Sequence, residues 1–361
     1  MSECDAGNEF DGRLGLRISS IFVILVGSAL GAVFPVYASR HRGTGVPEWA
    51  FFIAKYFGSG VIVATAFIHL LAPAEEALTS NCLTGPITEY TWVEGIVLMT
   101  IFLLFFVELM TMRYAKFGHS HDHDAAHEAS GQDKMLELNS SVTSVRYLDE
   151  PHVKNDSGND CPTNPHVPGD DHLSHAREHQ GSALGTTVQT HKTFDPESYA
   201  AQMTAVFILE FGVIFHSIFI GLTLAVSGSE FDTLYVVLTF HQTFEGLALG
   251  SRLGSIEWPE SKRLTPYLLA LAYALSTPIA IGVGLGVRTA LNTNSQSFLI
   301  VNGVFDSISA GILIYTGLVE LMAHEFMFSS YMQRAPIRMV LSAVGCMVLG
   351  ALLMAVLGKW A

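Results

Sequence analysis

Residues 16 to 37 read LRISSIFVILVGSALGAVFPVY, with Arg17 the one charge in the run, and stretches of this kind recur to the end of the chain. Inside hydrocarbon a backbone must satisfy its own hydrogen bonds, so a spanning helix needs about 20 mostly apolar residues. Eight segments meet that length, at 16 to 37, 49 to 72, 92 to 112, 200 to 227, 233 to 250, 266 to 287, 298 to 326 and 338 to 357. With 50% of residues apolar, 14% charged and a mean hydropathy of +0.38, a soluble fold is disfavoured. The expected class is an all-α polytopic membrane protein. The leader MSECDAGNEFDGR is acidic and lacks a basic region and a small-residue cleavage site, so the first run is expected to stay as a membrane helix.

Short loops on the cytosolic side collect Lys and Arg. Arg40 and Arg42 lie between spans 1 and 2, Arg252, Lys262 and Arg263 between 5 and 6, and Arg334 and Arg338 between 7 and 8. The opposite loops hold Arg288 alone against Glu75, Glu76, Glu89, Glu230 and Asp232. Both termini are therefore expected outside. Residues 1–15 form an outer tail, 16–113 spans 1 to 3, 114–199 a cytosolic loop, 200–251 spans 4 and 5, and 252–361 spans 6 to 8. The loop holds ten of the fifteen histidines, among them His119, His121, His123 and His127 in HSHDHDAAH. Its composition predicts a disordered segment, and the clustered imidazoles suit weak, exchangeable binding of zinc or its neighbours. A net charge of −14 confined to loops offers no basic surface for nucleic acid. Four scattered cysteines make neither a disulfide scaffold nor a CxxC module; Cys4 and Cys82 share the outer side, where a bond between them is an open alternative to two free thiols.

Two internal repeats organise the spans. GVIVATAFIHLLA at Gly60 to Ala72 aligns without gaps on GILIYTGLVELMA at Gly311 to Ala323, so helix 2 matches helix 7 although the two run in opposite directions. Helices 1 to 3 are then mirrored by 6 to 8, a 3+2+3 inverted-repeat bundle. Helices 4 and 5 are left over, and they carry the second pair, FHSIFIGLTL from Phe215 and FHQTFEGLAL from Phe240.

An ionisable side chain inside a bilayer costs several kcal/mol unless partnered, which makes it a functional-site candidate. His69, His216, His241 and Glu245 qualify. His241 and Glu245, four apart, share one helical face; His216 holds the repeat-related place on helix 4 and His69 lies in helix 2. Three imidazoles and a carboxylate suit a borderline-soft divalent cation such as zinc. The ordinary alternative is that each histidine hydrogen-bonds a neighbouring helix as packing glue. Glu210, Ser217 and Gln242 read as secondary or pathway groups. Glu320, aligned with His69, and His324 mark either an inner release site or a salt-bridged helix end.

At these residues the chain resembles the ZIP family of zinc and iron transporters, especially its fungal plasma-membrane zinc-uptake members. The likeness is carried by HSIFIG in helix 4, HQTFEG in helix 5, FIHLLAPA in helix 2, ELMAHEF in helix 7 and the His-rich loop. It implies the 3+2+3 fold, with His216, His241 and Glu245 as transport-site ligands and a contribution from His69. Many relatives read His-Asn-x-Pro-Glu-Gly in helix 4; here Phe219 and Ile220 stand where they place the proline and a second carboxylate, which favours a single ion.

The expected function is zinc import to the cytosol by alternating access, with zinc as substrate and no organic cofactor or enzymatic step. Acidic outer loops would gather cations, and since only neutral imidazole binds metal, external acid should slow loading. Iron, manganese and cadmium remain open as substrates, and a homodimer as an alternative to a monomer. The rivals are a cation exporter of another family, a metal-sensing receptor, and an intramembrane zinc hydrolase, for which HEFMF offers Phe328 where HExxH needs its second histidine.

Overall fold

The computed structural model describes residues 10–41, 45–117 and 196–360. The loop histidines His119, His121, His123 and His127, and Cys4, lie outside the described residues. The elements are helical: α1 (Leu14–Arg40), α2 (Glu48–Leu78), α3 (Trp92–Phe117), α4 (Pro196–Val226), α5 (Phe231–Ser255), α6 (Thr265–Gly286), α7 (Gln296–Tyr315, continued by Thr316–Phe328) and α8 (Ile337–Leu357), with a short helix at Ser330–Arg334. Among the described residues seven helices are long and apolar enough to cross a membrane. The other long helix, α5, carries Asp232, His241, Gln242, Glu245 and Arg252 along its 25 residues.

Both aligned helices of the repeat leave α-geometry at the same column. In α2 the chain widens to i→i+5 hydrogen bonding over Thr65–Leu71, and in α7 over Thr316–Phe328; Thr65 and Thr316 are the aligned residues. Such insertions rotate everything that follows relative to the preceding turns. In α2 the residue re-aimed is His69, and in α7 it is Glu320 and His324.

Packing divides the helices. α1 lies along α5 and α6, and α6 along α4; α2 lies along α8 and against α7. The two groups meet where α5 touches α2 and α4 touches α7. Lipid tails are as apolar as leucine, so helices associate here through close backbone approach rather than hydrophobic burial. A methyl group on Gly31 of α1 would overlap the Thr243 carbonyl of α5, and one on Gly250 of α5 would overlap the Ala32 carbonyl of α1. Ser28 Oγ adds a bond across to the Ala274 carbonyl of α6 at 3.2 Å.

The start of α1 ties down the end of α4. Arg17 is fully buried and donates to the carbonyls of Leu224, Ala225 and Ser227, which the helix end leaves without intrahelical partners. Its guanidinium lies over the rings of Phe10 and Phe231 at 4.7 and 4.4 Å, and pairs with Asp11 at 2.7 Å. Hydrogen bonds from Arg13 and Arg17 hold the Asp11 carboxyl below the usual carboxylate range. This clamp fixes the helix on which His216 sits.

The α1–α5 contact yields a first prediction. Gly250→Val forces two backbones apart and should destabilise the protein by about 1–3 kcal/mol, seen as a lower Tm in detergent. Gly345→Ala in α8, where an added Cβ meets nothing within 4 Å, should leave the Tm unchanged or slightly raised.

Candidate metal centre

α4 and α5 bring the two histidine motifs together. His216, His241 and Glu245 each turn one ligand atom into a common space, with those atoms all within 4.8 Å of one another. The three residues are 3%, 0% and 4% exposed, so water does not solvate them. The imidazole centroids of His216 and His241 are 5.7 Å apart, and His241 Nε2 is 3.3 Å from Glu245 Oε1, one helical turn along α5, without hydrogen-bond alignment.

What separates this cluster from packing glue is its lack of partners. His216 Nε2, both ring nitrogens of His241 and both carboxylate oxygens of Glu245 are buried with no hydrogen bond among the described residues. A buried polar atom left unmade costs roughly 1–3 kcal/mol, and more for a charged one. One atom from each of the three residues converges within 4.8 Å, and a divalent cation there would satisfy them at once.

His69 approaches from α2. Its ring meets that of His241 edge-on, with centroids 4.6 Å apart, while its Nε2 donates to the Met354 carbonyl of α8 at 2.9 Å. A carbonyl can only accept, so the proton sits on Nε2 and Nδ1 carries the lone pair. His69 thus stands beside the three-residue cluster and not within it.

Ser217 and Gln242 occupy a different environment. Gln242 Nε2 donates to Ser217 Oγ at 3.3 Å and to Thr277 Oγ1 at 2.7 Å, while Tyr273 Oη donates to Gln242 Oε1 at 2.6 Å and to its carbonyl at 2.7 Å. These side chains satisfy one another. They brace α4, α5 and α6 next to the cluster and leave it with one set of free donors. Glu210 is the opposite case: it lies two turns before His216 on α4, is 4% exposed, and neither oxygen has a hydrogen bond among the described residues.

Glu320 and His324 lie apart from the cluster, in the widened part of α7. Glu320 is 3.9 Å from Arg252 of α5 and lines a cavity with Glu108, Thr111, Thr204, Tyr315 and Thr316; Tyr315 Oη donates to Glu108 at 2.6 Å. The His324 ring rests on Phe328 at 5.6 Å, the residue that an HExxH site would need as histidine.

The sequence reading passed over Asp306. This buried carboxyl of α7 places Oδ1 3.5 Å from His216 Nδ1. The rule that flagged the histidines, an ionisable group inside an apolar run, also applies to Asp306 in VFDSISAG. Tyr273 and Thr277 carried no comparable signal, because a hydroxyl in a membrane helix commonly bonds its own backbone.

A family model described as ZIP Zinc transporter matches residues 14–358. The chain is 46% identical to Zinc-regulated transporter 2 of Saccharomyces cerevisiae, over 99% of this chain and 97% of that protein. It is 42% identical to Zinc-regulated transporter 1 of the same yeast, over 98% and 90%. With Zinc-regulated transporter 1 of Schizosaccharomyces pombe it shares 37% identity, over 98% and 88%.

The brace around Gln242 gives the second prediction. Tyr273→Phe strands Gln242 Oε1 in a buried site and should cost about 1–3 kcal/mol, lowering the Tm in detergent, while zinc binding to the purified protein, measured by calorimetry, keeps its stoichiometry.

Proposed function

We propose that this chain, which belongs to the ZIP zinc transporter family, imports zinc into the cytosol through the His216, His241 and Glu245 cluster. The observation that carries this reading is the set of buried, unpartnered nitrogen and oxygen atoms converging within 4.8 Å inside a bundle of membrane-type helices. The chain is a transporter and not an enzyme, and zinc is its substrate, with no organic cofactor.

Two imidazoles and one carboxylate leave a bound divalent ion with a coordination position for water or for a passing ligand. His69 supplies that ligand from α2, through Nδ1, when its ring turns towards His241. Fewer and weaker donors than an all-thiolate site leave release feasible. Glu210, whose oxygens make no hydrogen bond among the described residues, forms the next station along α4, and Glu320 with His324 forms the inner release site. Ser217 and Gln242 act through the brace that holds α4 and α5 at the right separation. The satisfied state of that brace supports a single ion per site.

The inverted 3+2+3 arrangement is supported by the matching departures from α-geometry at Thr65 and Thr316. α5 belongs to it as an eighth span, with His241 and Glu245 in the cluster and Gln242 in the brace. Two helix groups meeting at the cluster support alternating access, with movement at the seam between them. α4 is packed along α6 and α5 along α1, so α4 and α5 would move together with those helices. The plasma membrane, with both termini outside, is the orientation we assign. Cys82 in the loop after α2 is disulfide-bonded, its partner outside the described residues, and Cys346 is free. A disulfide there fits an oxidising outer compartment. The charge balance of the loops supports the same orientation.

Zinc-65 uptake in cells lacking their own zinc importer tests the proposal. The chain should raise uptake, and His216→Ala and Glu245→Ala should each cut it by more than the ~10–100-fold typical of losing a ligand's outer partner. Net zinc efflux, or uptake indifferent to both substitutions, would refute it. Cold zinc, iron, manganese and cadmium competed in turn against the isotope rank the substrates. For orientation, a membrane-impermeant maleimide added to intact cells should label Cys82 only after external reduction; labelling restricted to permeabilised cells would reverse the assignment.

A further inference from the structure

Asp306 faces the cluster from α7, across the seam between the two helix groups. It is 4% exposed, and its Oδ1 lies 3.5 Å from His216 Nδ1. A neutral imidazole has one N–H and one lone pair, and the partner of one nitrogen decides which nitrogen keeps the proton. An ionised carboxylate can only accept. It therefore draws the proton to Nδ1 and leaves the lone pair on Nε2, the atom that is buried without a partner beside His241 and Glu245. The opposite arrangement holds at His69, where the Met354 carbonyl takes the Nε2 proton.

We propose that Asp306 is the positioning residue of the zinc site: its carboxylate accepts the Nδ1–H of His216, selecting the tautomer and ring orientation that present Nε2 to the ion. Asp306 is not itself a ligand, since it meets the edge of the ring opposite the lone pair. A carboxylate behind an imidazole also raises the basicity of the nitrogen facing the metal, and loss of such an outer partner costs about 10–100-fold in affinity. The inference rests on the reading of the cluster as a zinc transport site.

Two measurements on the full-length protein test it. The first uses 15N-histidine-labelled, metal-free protein, with the His216 signals assigned by their absence in His216→Ala. Wild type should show a protonated Nδ1 and an unprotonated Nε2, and Asp306→Ala should lose that preference. The second is zinc-65 uptake against zinc concentration, normalised to surface expression. Asp306→Ala should raise the half-saturating concentration about 10–100-fold with a smaller change in maximal rate, and Asp306→Asn, whose amide can turn either an acceptor or a donor to Nδ1, should fall between Asp306→Ala and the unmodified chain. Unchanged His216 nitrogen shifts in Asp306→Ala would overturn the proposal. So would a half-saturating concentration in Asp306→Ala equal to that of the unmodified chain, because the outer partner of His216 would then not govern zinc binding. Absence of uptake by the unmodified chain would strike the transport reading instead, while the nitrogen shifts would still decide the role of Asp306.

Discussion

Lone pairs held away from water are the constraint on which this molecule turns. A bilayer offers no solvent to a polar group, so each must find a partner within the protein or be kept for a ligand. His216, His241 and Glu245 stand in the second condition, inside a bundle that partners most of the polar groups around them. Their cost is borne by the helix contacts that hold them, and under the proposed function a divalent ion would remove it.

The neighbouring side chains show how selectively that condition is imposed. Gln242, one position from His241, has its amide nitrogen and oxygen taken up by Ser217, Thr277 and Tyr273. Arg17, a buried charge, is answered by four carbonyls, two rings and Asp11. His69 is answered on one nitrogen by Met354. Satisfied groups of this kind set helix positions, and the unsatisfied ones between them are what the positions serve. Glu210 repeats the unsatisfied pattern further along α4 among the described residues.

Holding such a site requires helices that do not drift. Backbone contact between α1 and α5 through Gly31, Ala32 and Gly250 supplies the stiffness, and the Arg17 clamp fixes the end of α4. The seam between α4 with α5 and α2 with α7 is of a different kind. It is where the polar groups lie, and on its far side the α-helical pattern gives way to wider turns in both α2 and α7. A rigid group on one side and helices with softened hydrogen bonding on the other is an arrangement suited to a site that opens alternately.

Much of this was legible in the residues alone. Apolar runs of spanning length placed the helices, with ends off by a few residues, as in 233 to 250 for what is Phe231–Ser255, because a helix end depends on local caps and tertiary contacts more than on hydropathy. The spacing of His241 and Glu245 on one face, and the echo of His216 on the preceding helix, marked the cluster, since periodicity is a local property that sequence carries directly. Tertiary structure alone decided which candidates converge. His69 reads in sequence as a ligand beside His216 and Ser217 as a secondary or pathway group, yet one is turned to a carbonyl and the other absorbed by Gln242, because partners come from helices distant in the chain. The widened turns at Thr65 and Thr316, and the placing of Asp306 behind His216, were likewise settled by how helices far apart in sequence lie against one another, which no local pattern of residues specifies.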